Sequence, residues 1–393
     1  MKSLANVSSG QNLSIQGLRG VAVLAVLIFH YVSVYRNDIL SGVTPGHALL
    51  HLANVGWVGV DLFFAISGFV VTSSILSSVR KPTDVFTFWR RRALRLFPVY
   101  YLAVFVFSIC LILGLATTAG YARAIPFLLL HLSNIGIVIG VPMQDPMISI
   151  THFWSLAVEM QFYFAWPWLL VFRHRLPLKS LMLAVVILAP LARGVALLYG
   201  LQPNTIYSLT PFRLDAFIVA ALIALRHHEG GLTQRTDVLM NLIFPTTGIL
   251  ALAYLASSEE WHKADPTVQI YGYSLLAISS GCLVGSLFRQ TAPVWLQALL
   301  SRPAIVWIGT ISYSLYVWHL LFSGLISAQF RAFWLGTSDS KWTSFSGLLG
   351  DVTLNIAVAF LLGVLSYNLE RWGQNRKPRY SDPQIVAGAK KAA

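Results

Sequence analysis

The sequence predicts an all-α integral membrane protein, a polytopic helical bundle of about ten transmembrane helices with both termini cytoplasmic. Three observations lead there. The 393 residues are 56% hydrophobic and only 11% charged, whereas an ordinary soluble chain carries about a quarter charged residues. The apolar residues gather into runs of about 17–23, the length that crosses a hydrocarbon core as a helix, and the short alternating segments of a β-barrel are absent. The lysines and arginines fall in alternate loops, the positive-inside pattern.

Taken in order, spans fall at 17–36, 55–77, 97–117, 153–172, 180–199, 211–226, 238–257, 268–288, 303–326 and 348–369. The second is followed by Arg80 and Lys81 and then by Arg90, Arg91, Arg92 and Arg95. The fourth is followed by Arg173, Arg175 and Lys179, the sixth by Arg226 and Arg235, and the tenth by Arg371, Arg376, Lys377 and Arg379. The opposite loops around 202–204, 257–260 and 336–339 are poor in positive charge. Residues 121–141 are apolar enough for an eleventh span. Counting them would put Arg173 and Arg175 outside and invert every later loop. With His131, Ser133, Asn134 and two glycines, the segment reads instead as a non-spanning or re-entrant piece on the outer side. Residues 1–380 form one transmembrane domain in this reading, and 381–393 a disordered tail.

Several classes are set aside. The net charge of +13 lies mostly in cytoplasmic loops, and no soluble basic domain exists to bind nucleic acid. Cys110 and Cys282 fall inside spans and form no disulfide framework. His47 and His51 stand at i, i+4 without a third ligand or an H-E-x-x-H pattern, so no metal is expected. His227, His228 and Glu229 read as a solvated loop. The first apolar run lacks a small-residue cleavage site and is not a removable signal.

The ionisable residues inside the spans carry the chemistry, because such groups are costly at membrane depth. Arg19 and His30 are eleven residues apart in LRGVAVLAVLIFHYVSVY, hence about 16 Å apart and nearly on one helix face. Arg91, Arg92 and Arg95 stand just before the third span, with Arg91 and Arg95 on a common face. Their planar guanidinium groups suit phosphate, and equally suit topology anchoring, as Arg90 does. Asp61 needs a partner, Arg19 or an arginine of that cluster, while Gly56, Gly59, Gly68 and Ser67 permit close helix approach. Ser155, Glu159 and Tyr163 recur every four residues, and Glu159 must be paired or protonated. Arg213 and Asp215 pose the same question. Tyr313, Tyr316 and His319 line one stripe that borders a substrate path or packs against a neighbour.

Six blocks occur in order: LRGVAVLAVLIFH at 18–30, GWVGVDLFFAISGF at 56–69, FWRRRALRLFPVYY at 88–101, HFWSLAVEMQFYFAWP at 152–167, FRLDAFIVAAL at 212–222 and IGTISYSLYVWH at 308–319. Together they resemble the membrane acyltransferase-3 family, bacterial O-acyltransferases that modify glycans of the cell envelope. The resemblance runs from about Ile15 to Trp372. It implies ten transmembrane helices, an acyl-CoA donor, expected to be acetyl-CoA, used from the cytoplasm, and an acceptor hydroxyl presented outside.

On that resemblance His30 is the catalytic residue, either as a base toward the hydroxyl or as a transient acyl carrier. Arg19, Arg91, Arg92 and Arg95, in the pattern R-R-x-x-R for the last three, bind the phosphates of acyl-CoA. Glu159 orients His30 or merely ties helices together; His152 bonds the acceptor or sits in interfacial water. Ser155 is in no nucleophile elbow. Asp61, Ser155, His152, Tyr163, Tyr313 and His319 complete the candidate set. The expected protein is thus an inner-membrane O-acyltransferase acting on an envelope glycan or lipid-linked sugar, with acyl-CoA as co-substrate and no bound cofactor. It carries no fused hydrolase-like domain in this reading, so the acceptor reaches the membrane core directly or a separate extracytoplasmic partner completes transfer. The rival is a transporter or flippase of envelope glycans using the same Arg, His and Glu track, against which the lack of an internal repeat argues.

Overall fold

The structure, a computed structural model, describes residues 12–33, 53–79, 81–116, 120–257, 263–336 and 345–375. His47, His51 and the expected tail lie outside these. Regular structure among the described residues is helical, with one isolated bridge between Gln144 and Ser149. Helix α1, Leu13–Ser33, starts where Asn12 Oδ1 accepts from the backbone N–H groups of Ser14 and Ile15 at 3.1 and 3.2 Å, an N-terminal cap. Helices α2 (Val58–Ser78) and α3 (Pro82–Ile112) follow, the latter running unbroken through Pro98. The arginine cluster therefore lies inside α3, not before it.

Residues 121–141 form no span. They make α4, Ala124–Leu129, and α5, Ser133–Val138, separated at His131, whose φ is +53°. Six residues of helix rise only about 9 Å, too short to cross a membrane. Next come α6 (Phe153–Val171), α7 (Leu178–Leu198), α8 (Pro203–Ser208), α9 (Leu214–His228), α10 (Gln234–Ser257) and α11 (Tyr273–Phe288). The expected ninth span, 303–326, is broken into α13 (Pro303–Thr310) and α14 (Ser312–Trp318), after the short α12 (Val294–Leu300). Beyond it are α15, Ser323–Leu335, and α16, Phe345–Asn375.

Among the described residues, seven helices are long and apolar enough to cross a membrane: α1, α2, α3, α7, α10, α11 with its preceding π-turn, and α16. The other three expected spans fall short for separate reasons. α6 is diluted by Gln161, Glu159 and tryptophans, α9 has 15 residues, and α13–α14 is interrupted at Ile311.

Helices α1, α2 and α11 form the interior, and α7 and α10 the rim, where leucines and isoleucines such as Ile187, Leu191 and Leu242 face outward. The centre is drawn tight by glycine. A Cβ on Gly20 would collide with the Ile305 carbonyl of α13, and one on Gly59 with the Ala22 carbonyl of α1. Only a residue without Cβ allows that backbone approach.

Two buried ion pairs tie the interior. Asp61 of α2 accepts from Arg213 Nη2 at 2.7 Å, and Asp215 accepts from Arg193 of α7 at 3.0 Å. The partner expected for Asp61 is therefore wrong: Arg19 and the α3 arginines lie elsewhere, and Arg213 is bonded to Asp61 instead of its sequence neighbour Asp215. Nor is His227 simply solvated. It is half-buried, edge-on to Phe288, with Nδ1 3.3 Å from Arg289.

Candidate active site

Two groups of buried polar residues lie on either side of a tyrosine. The first surrounds Arg19. Its Nε lies 3.4 Å from Ser312 Oγ, and Arg19 borders a narrow cavity of about 40 Å³ shared with Ser67, Ser155, Glu159, Tyr313 and Tyr316. Such a volume holds a short file of waters or one extended chain. Glu159 accepts hydrogen bonds from Ser67 and from the Tyr163 hydroxyl, the latter at 2.5 Å.

On α3 the arginines diverge. Arg92 stacks on the rings of Phe88 and Tyr163 at 5.5 and 5.3 Å, and Arg95 bonds Glu370 of α16 at 2.9 Å. Arg91 and Arg95 share a face of the helix, but Arg91 is exposed beside Arg90 while Arg95 is half-buried. Helical spacing puts residues four apart on adjoining positions, but the bundle covers only the Arg92–Arg95 edge. A groove of about 270 Å³ opens beside Arg92, bounded by Trp89, Arg90 and Tyr163.

The second group surrounds His30, at the far end of α1. Three histidines meet there: ring centroids are 4.9 Å apart for His30 and His319, and 4.6 Å for His319 and His152. The hydrogen bonds fix the tautomers when the rings are neutral. His319 Nδ1 lies 2.7 Å from the Tyr316 carbonyl, which only accepts, so Nδ1 carries the hydrogen and Nε2 the lone pair. That lone pair faces His30 Nδ1 at 3.1 Å, and the Val26 carbonyl lies 3.0 Å from the same atom. His30 Nδ1 therefore donates, and His30 Nε2 is left as a lone pair. Tyr31 holds His319 in place by donating to its carbonyl at 2.5 Å.

Glu159 is thus not the orienting partner of His30 expected from sequence. Its carboxylate is engaged by Ser67 and Tyr163 in the Arg19 group, while His319 occupies the position beside His30. His152 is fully buried, with Nε2 3.1 Å from the Val317 carbonyl, and so does not sit in interfacial water. Tyr313 and Tyr316 are packed residues: Tyr313 donates to the Leu96 carbonyl at 2.8 Å, and Tyr316 shares a 2.5 Å hydrogen bond with Ser155. Tyr316 also borders the narrow cavity and the histidines, and so joins the two groups.

Sequence reasoning missed two residues. Glu370 lies one position past the expected end of the tenth span, where it reads as interfacial, yet it is fully buried against Arg95 and Ser314. Lys263 reads as an ordinary loop residue. Its ammonium lies 4.3 Å from the Tyr207 ring and 5.6 Å from the ring of Phe29, the neighbour of His30. Gln269 and Tyr273 pin its carbonyl at 3.2 and 2.6 Å. Burial, and then the charge of Arg213, push its pKa down to about 8.

Residues 12–367 match the acyltransferase domain family. Over 386 residues the chain is 25% identical to the peptidoglycan O-acetyltransferase OatA of Listeria monocytogenes, covering 93% of this chain and 56% of that protein. It is 27% identical over 327 residues to YrhL of Bacillus subtilis, provisionally named a peptidoglycan O-acetyltransferase, covering 78% of this chain and 47% of that one. A provisionally named O-acetyltransferase of Staphylococcus aureus is 27% identical over 322 residues, 78% of this chain and 49% of its own length. The chain spans about half the length of these curated relatives. No solved structure matches it.

Proposed function

The chain belongs to the acyltransferase domain family, and on that footing we propose that it moves an acyl group, expected to be acetyl, from acyl-CoA at the cytoplasmic face to a hydroxyl of an envelope glycan or lipid-linked sugar. The same proposal places it in the inner membrane with ten crossings, α6, α9 and α13–α14 completing the seven longer spans. The observation that carries it is the pair of polar groups joined through Tyr316, with His30 Nε2 left as a lone pair at one end and Arg19, Arg92 and Arg95 at the other.

In this mechanism the phosphates of the donor are held by Arg92, Arg95 and Arg19, with the groove at Trp89 beside them, and the pantetheine arm enters the narrow cavity. Arg19 and His30 are about 16 Å apart along α1, of the order of that arm's extended length. His30 Nε2 takes the proton of the acceptor hydroxyl as its oxygen bonds to the thioester carbonyl carbon. The tetrahedral oxyanion then collapses, the carbon–sulfur bond breaks, and the departing thiolate takes the proton from His30. Acyl-CoA and alcohol become ester and free CoA. Positive charge at the oxyanion stabilises that step, and Lys263 supplies it beside Phe29 and His30.

Two results test this reading. Detergent-purified protein is expected to consume acetyl-CoA, and Arg92→Ala to raise the donor KM by about 10- to 100-fold, the loss of one charge-assisted contact of about 1.5–3 kcal/mol. If the wild type neither binds nor consumes any acyl-CoA, the donor assignment fails and transport becomes the better reading.

The second result is a pH profile. Lys263 is charged below about 8 and neutral above it, so transfer should fall as pH rises through that value. His30, Arg213, Tyr207 and Tyr273 are the ionisable groups facing it. Lys263→Arg, charged throughout, should abolish the falling limb. A limb unchanged in that variant assigns the titration to another group.

A further inference from the structure

A second cavity, of about 120 Å³, has His30, Tyr31, Ser323, Ser327, Arg331 and Asn355 in its wall. Its far wall is polar and ordered. Asp351 and Asn355 project from α16 toward Ser327 of α15, and all three are buried. Ser327 Oγ donates to Asp351 Oδ2 at 3.0 Å. Asn355 Nδ2 lies 3.0 Å from both the Oδ1 and the backbone carbonyl of Asp351, and 3.1 Å from Ser327 Oγ.

Those two Asp351 oxygens only accept, so they fix which end of the Asn355 amide is nitrogen. The carbonyl oxygen is then forced to the other side, where, fully buried, it has no hydrogen-bond partner among the described residues. A buried acceptor left unpaired is costly. It is built at that cost in a residue that lines the same cavity as His30.

We propose that this cavity is the acceptor subsite and that Asn355 Oδ1 accepts a hydrogen bond from a second polar hydrogen of the acceptor, next to the hydroxyl that reacts at His30. The inference rests on the acyl-transfer reading above. It also narrows the substrate class. An aliphatic alcohol brings one hydroxyl and leaves Asn355 Oδ1 unpaired. A pyranoside with a neighbouring hydroxyl or amide N–H satisfies both groups at once. The Asp351–Ser327 bonds hold Asn355 in that orientation.

The test uses purified full-length protein, acetyl-CoA, and two acceptors in parallel: methyl N-acetylglucosaminide, which carries neighbouring donors, and 1-butanol, which carries one. Release of CoA to water, measured with no acceptor, reports donor binding and His30 alone. Asn355→Ala is expected to keep that hydrolysis and to raise the KM for the sugar about tenfold or more, with transfer to butanol unchanged. Asn355→Asp serves as a second variant, because it keeps an oxygen at this position while disturbing the contact with Asp351; it should retain more sugar transfer than Asn355→Ala.

Thermal stabilisation by the sugar, present in the wild type and lost in Asn355→Ala, would support the subsite without turnover. An equal loss with sugar and butanol, or an unchanged sugar KM with hydrolysis intact, overturns it. Absence of hydrolysis and of transfer to either acceptor in the wild type overturns the acyl-transfer reading itself, and the subsite with it.

Discussion

Replacing His30 with alanine is expected to lower acyl transfer by about 100- to 10,000-fold, the usual contribution of a positioned general base, with donor affinity retained. The separation follows from geometry: Arg19, one of the arginines proposed to hold the donor phosphates, lies about 16 Å along α1 from His30. His319 acts only through His30, so its variants discriminate between positioning and packing. His319→Leu removes one of the two acceptors of His30 Nδ1–H, leaving the Val26 carbonyl, and so loosens the ring. His319→Gln restores an amide oxygen near that place and should recover part of kcat, with KM for acetyl-CoA unchanged in both. If the two variants are equally impaired, His319 is a packing residue. Incubation of wild type with labelled acetyl-CoA and no acceptor separates base from acyl carrier. A labelled histidine adduct at His30 would make it the carrier.

Much of this arrangement is legible in the sequence, and the limits are physical. Expensive groups in apolar helices announce themselves, which is why Arg19, His30, Asp61, Glu159 and His319 stand out before any contact is known. Pairing is another matter, because partners are chosen by packing across helices distant in the chain. Asp61 meets Arg213, 152 positions away, and Asp215 leaves its neighbour for Arg193. A two-residue spacing in FRLDAF suggests a pair that the fold divides between two others. Glu159 and His319 exchange expected roles for a similar reason: a carboxylate is the familiar orienter of a histidine, and nothing local in IGTISYSLYVWH shows that His319 will turn its lone pair to His30. Glu370 and Lys263 escape notice because each sits at a membrane edge, where charge is ordinary. Asn355 escapes because an asparagine inside a span carries no charge to draw attention. The break at Ile311 is hidden by continuous hydropathy.

Asp61→Ala is expected to be the most destabilising single change in the interior, by about 3–5 kcal/mol, because it strands a buried guanidinium. Arg213 and Asp61 are both about 1% exposed, and Arg213 Nε and Nη1 have no hydrogen-bond partner among the described residues. The rings of Tyr273, Tyr207 and Phe64, at 4.1, 5.2 and 5.9 Å, also face the charge. Asp61→Leu combined with Arg213→Leu removes both charges and should recover most of the loss, since a buried pair contributes little net stability over apolar residues of similar volume. Thermal unfolding in detergent, followed by tryptophan fluorescence across the single and double variants, measures this coupling. Additive losses would mean the two residues do not act as a pair. The double variant has a further consequence at Lys263. Arg213 is one of the two causes that hold that lysine near 8; without its charge the lysine keeps its proton to higher pH. A protein restored in stability should therefore still show the falling limb of its pH profile moved upward. Stability and profile restored together would place the charge that titrates elsewhere than Lys263.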